Sequence, residues 1–201
     1  MKKFTVVFLS ILIVAFSFTA CSSKPNNKLT EKNITNTIDT IFDALKEFDS
    51  STVKRYVESS TLDTILTYAS KKDQFRKLGV AMFENLQYEI KEIDTDNKTV
   101  MLAVKNKDLS EVASEYTKNL LKEYASISGM LQLLKDIQND TWLDTNLSVL
   151  TKGISNAAMK DEETDITLSF EQKNDRLVFT FTQTAEDAVS GGALTAINNI
   201  F

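Results

Sequence analysis

The stretch Gln87 to Asn106 reads QYEIKEIDTDNKTVMLAVKN. It opens with an alternating run, Tyr88 and Ile90 on one side and Glu89 and Lys91 on the other. It closes with a second alternating run through Val100, Leu102 and Val104. Successive side chains of a strand point to opposite faces, so an apolar period of two marks a half-buried strand. Between the runs lies DTDNK, Asp94 to Lys98, rich in residues whose short polar side chains close turns. Two such runs around a polar turn predict a β-hairpin.

Upstream the period is helical. Ile34, Ile38, Ile41, Phe42, Leu45 and Phe48 share one face of a helix expected from about Glu31 to Phe48. Asp49 caps a short helix carrying Val53, Tyr56 and Val57. A further helix carries Leu62, Ile65 and Leu66, and a fourth carries Phe75, Leu78, Met82, Phe83 and Leu86. Downstream, Leu109, Val112, Tyr116, Leu120, Tyr124, Ile127, Leu131 and Leu134 hold a helical period, with Gly129 a candidate break. Another helix starts near Asp140 with Leu143, Leu147, Leu150 and Ile154 on one face. A second hairpin follows: ITLSF alternates through Ile166, Leu168 and Phe170, KND turns, and RLVFTFTQT alternates through Leu177, Phe179 and Phe181. GGALTAINNIF closes the chain as a short helix after a Gly-Gly hinge. The order helices, hairpin, helices, hairpin predicts an α+β fold. It consists of an antiparallel, curved sheet of about four strands packed against N-terminal helices, with a helical insertion over about residues 109–160.

The N-terminus has a different logic. Lys2 and Lys3 precede the apolar run Phe4 to Phe16, and small residues Thr19 and Ala20 follow. This is the layout of a secretory signal, whose apolar region is typically about 7–15 residues. FTAC, Phe18 to Cys21, resembles the bacterial lipobox, in which the cysteine receives a diacylglyceryl group and becomes the new N-terminus. Cys21 is the only cysteine, so lipidation removes what is otherwise an unpaired thiol in an exported chain. Residues 1–20 are then the signal, 21–30 the lipidated cysteine and a polar tether, and 31–201 a single domain. The expected location is extracytoplasmic, held to the cell membrane by lipid at Cys21.

Composition narrows the chemistry. The formal charge is −5 and becomes −7 once Lys2 and Lys3 are removed, which offers nothing to nucleic acid. There is no histidine, hence no Ser-His-Asp triad and none of the commonest metal ligand. The five glycines build no phosphate-cradling loop. No catalytic residue, metal or cofactor is expected. The acidic clusters Asp94 to Asp96 and Asp161 to Asp165 fall at turns, and the first lacks the glycine and distal glutamate of a calcium loop. The sequons beginning at Asn33, Asn97, Asn139 and Asn146 read as by-products of an Asn- and Thr-rich composition.

IFDALKEFDSSTVKRYV, Ile41 to Val57, resembles the opening of nuclear transport factor 2-like, or cystatin-like, domains in lipoproteins of low-GC Gram-positive bacteria. LQYEIKEIDTDNKTVMLAVKNKDL is similar to their first hairpin, and TDITLSFEQKNDRLVF to their closing one, with Leu177 or Val178 where tryptophan is usual. The resemblance covers most of residues 30–184 and carries over no catalytic residue. It implies a cone of sheet and helices with room for an apolar pocket. Phe42, Tyr56, Phe83, Tyr88, Phe179 and Phe181 are the candidates to line it, with Tyr68 a further aromatic of the set. Simple core filling is the competing role for all of them. Trp142, the single tryptophan, is a candidate partner anchor or a packing residue of the insertion. The expected partners are the membrane and an unknown protein or small apolar ligand. A non-catalytic binding domain leads. A cone-fold enzyme of isomerase or dehydratase type working with carboxylates and tyrosines, and a structural envelope or stress-associated lipoprotein, are the alternatives.

The anchor has a direct test. Cys21→Ala in the full chain removes metabolic acyl labelling and releases the chain from the lipid-linked fraction; normal acylation of that variant refutes the lipobox reading.

Overall fold

The computed structural model describes residues 29–69 and 71–198. The signal segment, Cys21 and the tether before Leu29 lie outside the described residues, as does the side chain of Tyr68. The run from Glu31 forms α1 (Glu31–Glu47), its first turn capped by the Thr30 hydroxyl accepting from Asn33 N–H. Phe48 ends it in the left-handed conformation at φ 54°, donating its N–H to the Ala44 and Leu45 carbonyls. Asp49 then caps α2 (Ser50–Tyr56), its carboxylate accepting from Ser51 N–H at 3.0 Å and from the Thr52 hydroxyl at 2.6 Å. Helices α3 (Ser60–Ala69) and α4 (Asp73–Phe83) follow.

The expected hairpins are present. One joins β2 (Gln87–Asp94) to β3 (Thr99–Lys105), the other β4 (Thr164–Lys173) to β5 (Arg176–Thr180). The sheet nevertheless has five strands and is mixed. Val57–Glu58, read from sequence as the end of a helix or the chain just beyond it, forms a short strand, β1, parallel to β5 with Val57 opposite Phe179. The order across the sheet is β1-β5-β4-β3-β2. Register shifts between Ile90 and Glu92 in β2. This extra residue flips the strand's parity, so Ile93 as well as Ile90 packs on the core.

One sheet face is apolar and the other polar. Val100, Leu102, Val104, Ile166, Leu168, Phe170, Leu177 and Phe179 are buried against α1, whose Ile34, Ile38, Ile41, Phe42 and Leu45 are fully enclosed. Asp165, Thr167, Ser169 and Glu171 on the opposite face are exposed. The Tyr88 ring stacks on Phe42 at 4.0 Å between centroids, and its hydroxyl donates to Asp39 at 2.5 Å. Burial, with that carboxylate beside it, pushes the Tyr88 phenol well above its ordinary range. At the C-terminal end of α1, the Phe48 ring sits where any Cβ on Gly79 of α4 would fall, 2.4 Å away. Glycine there lets the two helices close.

Between β3 and β4 run three helices, α5 (Ser110–Glu123), α6 (Ile127–Asp136) and α7 (Asp140–Asn156). The period from Leu109 to Leu134 is therefore broken at Tyr124 to Ser126, just ahead of the Gly129 suggested by sequence. Gly129 N–H instead donates to the Ser126 cap of α6. After β5 comes α8 (Gln183–Val189), where alternation had suggested strand up to Thr184; Thr182 caps it. The chain then turns through Gly191 and Gly192 into α9 (Ala193–Asn198). This turn is buried rather than a free hinge. Gly191 lies at φ 64°, and a Cβ there would fall 2.0 Å from the Lys107 carbonyl oxygen.

The segment Asn106–Leu109 ties these parts together. The Asn106 amide donates to the Met82 carbonyl of α4 at 3.0 Å and to the Val189 carbonyl of α8 at 2.7 Å. Its Oδ1 accepts from Lys107 N–H at 2.8 Å. Lys107, also buried, donates Nζ to the Ile154 and Ser155 carbonyls near the end of α7. Leu109 N–H donates to Gly191 O, and Asp108 N–H to Ala158 O.

Removing the Asn106 side chain strands two buried carbonyls and an N–H. Asn106→Ala should lower unfolding free energy by about 3 kcal/mol, measured by urea denaturation. Asn106→Asp should be at least as damaging, because its carboxylate faces two carbonyl oxygens with no donor. Two near-neutral variants would contradict this account of the joint.

Candidate functional site

The space between sheet and α1 is filled. Phe42, Phe83, Phe179 and Phe181 are buried members of that core, and Tyr56 and Tyr88 pack at its margin. None of these six sequence-derived candidates lines the cavity in the helical layer. They are brought together, but as packing: Phe83 stacks on Phe48 and Phe42 on Tyr88, and Phe170 meets Phe179 at a tilt.

A cavity of about 650 Å³ lies instead in the helical layer. Its walls are Phe75, Leu78 and Met82 of α4, Ala113, Tyr116 and Thr117 of α5, and Leu150 and Ile154 of α7. Leu109, Ala193 and Leu194 close one end, and Ile65 of α3 contributes from the side. A second, small core of Ala81, Leu109, Ala113, Ile154 and Ala193 seals its floor. The exposed lining residues Lys71, Leu134 and Gln138 mark the open side. The lining contains no carboxylate.

Helical periodicity explains the walls. Ala113, Tyr116, Thr117 and Leu120 recur at three and four residues on α5, as do Leu143, Leu147, Leu150 and Ile154 on α7. Each helix turns an apolar stripe inward. The stripes do not close on each other and leave the space between them open, with Ala113 and Ala193 among the lining.

The open side is crossed by polar straps. Lys72, at the start of α4, donates to Gln138 O at 3.2 Å and to Asp140 Oδ1 at 2.6 Å. Gln74 Nε2 reaches Asp144 Oδ1 at 2.8 Å. Both straps are exposed, and such pairs contribute at most about 1 kcal/mol each. Helix α6 is held by its ends. The Trp142 indole N–H donates to the Tyr124 hydroxyl at 3.0 Å, and that hydroxyl donates to Asp136 Oδ2 at 3.0 Å. The two rings meet edge to face at 6.4 Å. Tyr124 thus ties the two ends of α6 together, and Trp142 holds that tie to α7.

Tyr116 is the anomaly of the lining. Its hydroxyl is buried and bonded to no group among the described residues. Burial first, and then neighbouring Tyr124 and Glu123, push its pKa up to about 12, so the phenol is neutral at physiological pH. Another carboxylate is buried elsewhere. Glu186 of α8 accepts from the Ser59 hydroxyl and from Thr61 N–H at the start of α3, which makes it a helix cap. The acidic turns are occupied by local bonding. Asp94 accepts from Asn97 N–H at 2.8 Å, and the stretch from Asp161 to Asp165 is largely exposed. Among the described residues no group of acidic side chains is arranged to hold a metal ion.

No family model, curated protein or solved structure matches the chain.

The cavity set could not be singled out from sequence, because its residues carry ordinary helical core periodicity. The one usable signal was the Ser126–Gly129 cap, which interrupts the period and frees α6 from the helix before it. The orphan hydroxyl gives the test. Tyr116→Phe should leave stability unchanged or raise it by about 1 kcal/mol, read by urea denaturation. A loss of that size would mean the hydroxyl has a partner.

Proposed function

We propose that the chain is an extracytoplasmic, membrane-anchored protein that binds a small apolar ligand in the cavity between α4, α5, α6 and α7. The observation that carries this reading is the cavity itself. Its volume of about 650 Å³ falls in the range of roughly 300–1,000 Å³ usual for ligand sites. Its walls are almost wholly apolar, and its few polar members are Lys71, Lys72, Tyr116, Thr117 and Gln138. A lining without a carboxylate favours binding over acid–base chemistry by Asp or Glu. Cys21 is the anchor in this reading, and it leaves the domain free to work at the membrane surface. The helix packed on two hairpins is also what a nuclear transport factor 2-like lipoprotein domain would bring, with the ligand site moved out of the sheet and into the inserted helices.

The neutral fluorescent probe N-phenyl-1-naphthylamine tests the site. It should bind saturably and raise the unfolding temperature; at a hundred times its Kd the gain is about 2.7 kcal/mol. Leu150→Trp, which fills the cavity, should weaken binding at least tenfold, whereas Thr167→Ala on the exposed sheet face should not. Probe binding untouched by Leu150→Trp, or no binding at all, contradicts the proposal.

A further inference from the structure

The helix beside the cavity's open side is unusual. Not one of the ten residues of α6 is buried. Ile127 is 85% exposed, Met130 49%, Leu131 58% and Leu134 57%, four of the six large exposed apolar side chains among the described residues. At helical spacing they form one stripe. Ser128, Gln132 and Lys135 lie on another side of the helix, while Gly129 and Leu133 are half-buried. A soluble domain does not ordinarily leave such a stripe uncovered without a partner.

We propose that α6 docks into the bilayer to which the chain is anchored, as an interfacial lid over the cavity. Three observations select lipid as the occupant. First, the stripe is continuous with the cavity: Leu134 is both an exposed residue of α6 and a lining residue, with Ile137 beside it. An acyl phase against α6 therefore meets the cavity wall at Leu134, beside the polar straps of Lys72 and Gln74. Second, ten residues make a helix of about 15 Å, too short to span a membrane that needs roughly 20 apolar residues. Its exposed apolar stripe, flanked by Ser128, Gln132 and Lys135, suits a helix lying in the headgroup boundary. Third, the described chain begins at Leu29, eight residues after Cys21. An anchored domain stays within about 30 Å of the surface, where the high effective concentration makes a small docking stripe sufficient. The end-pinned attachment of α6 through Tyr124, Asp136 and Trp142 lets its outer face meet lipid while the α5 and α7 walls stay in place. Docking in this way gives the ligand-binding reading above a route: an apolar molecule enters from the bilayer beside Leu134. It rests on that reading for its purpose and for the anchor at Cys21, while the exposed stripe beside the cavity stands independently of it.

The test uses the full anchored chain reconstituted in phosphatidylcholine–phosphatidylglycerol vesicles. With Cys21 acylated, Met130→Cys presents the sole thiol for an environment-sensitive nitrobenzoxadiazole label. The label should emit blue-shifted light and be quenched by lipids carrying a spin label on the acyl chain. The same label at Asn97→Cys, in the β2–β3 turn, should remain aqueous. Adding Ile127→Asp and Leu131→Asp should abolish the blue shift at Met130→Cys with an unchanged melting temperature, since both positions are exposed. An aqueous spectrum at Met130→Cys in vesicles overturns the proposal. So does a blue shift that grows with protein concentration without vesicles, which would assign the stripe to a second copy. Insertion that survives the two aspartates overturns it as well. Failure of the ligand reading is separable: probe binding would be absent while the Met130→Cys label still inserts.

Discussion

Asn106 sits where the sheet ends and the helical layer begins, and its amide is the joint between them. One side chain satisfies a carbonyl in the last turn of α4, another in the last turn of α8, and the N–H of its own successor. It is 1% exposed, so each of those bonds replaces one to water that burial took away. Buried backbone polar groups require partners, and these lie at helix ends, where the helix supplies none. The apolar face of the sheet can pack on α1 without help. The inserted helices have no such sheet to lie on, and their orientation depends on the tie that runs through Asn106, Lys107 and the Gly191 turn.

This division explains why the sheet core is full and the helical layer hollow. The first core is made of large side chains from facing elements, with Phe42, Phe83 and Phe179 wholly enclosed. Its packing holds the fold. The second is built around alanines and one glycine turn, with Leu109 and Ile154 as its larger members. Helices α5 and α7 are located by polar ties at their ends, so their facing stripes need not close on each other. Space that would be a defect in the first core is a candidate site in the second. The contrast between two polar residues makes the same point. Asn106 has its side-chain bonds met and holds structure, whereas the Tyr116 hydroxyl beside the cavity has no partner among the described residues.

Much of the fold was legible because its signals are local. The period-two runs around DTDNK and KND, the helical stripe from Ile34 to Phe48, and the Asp49 cap each lie within a few residues of chain. What escaped depends on distant partners. Val57 enters a strand only because Phe179 lies beside it, and two residues carry no periodicity. The bulge near Lys91 puts Ile90 and Ile93 on one face, which strict alternation forbids. Helix α8 followed a strand without a break in apolar content, and its Thr182 cap was read as part of that strand. The candidate site was the least legible part. The aromatic residues chosen for a pocket were the best core fillers and filled the core. The cavity arises where side chains from several separate helices fail to meet, and no single segment records an absence.

The central claim is that the ligand site lies in the inserted helices and not beneath the sheet. Methyl-resolved nuclear magnetic resonance during titration with N-phenyl-1-naphthylamine tests it most directly. The account predicts saturable shifts at Leu78, Met82, Leu150 and Ile154, with Val100, Leu102 and Leu168 unmoved. Shifts confined to Val100, Leu102 and Leu168, with the four cavity residues silent, would contradict it.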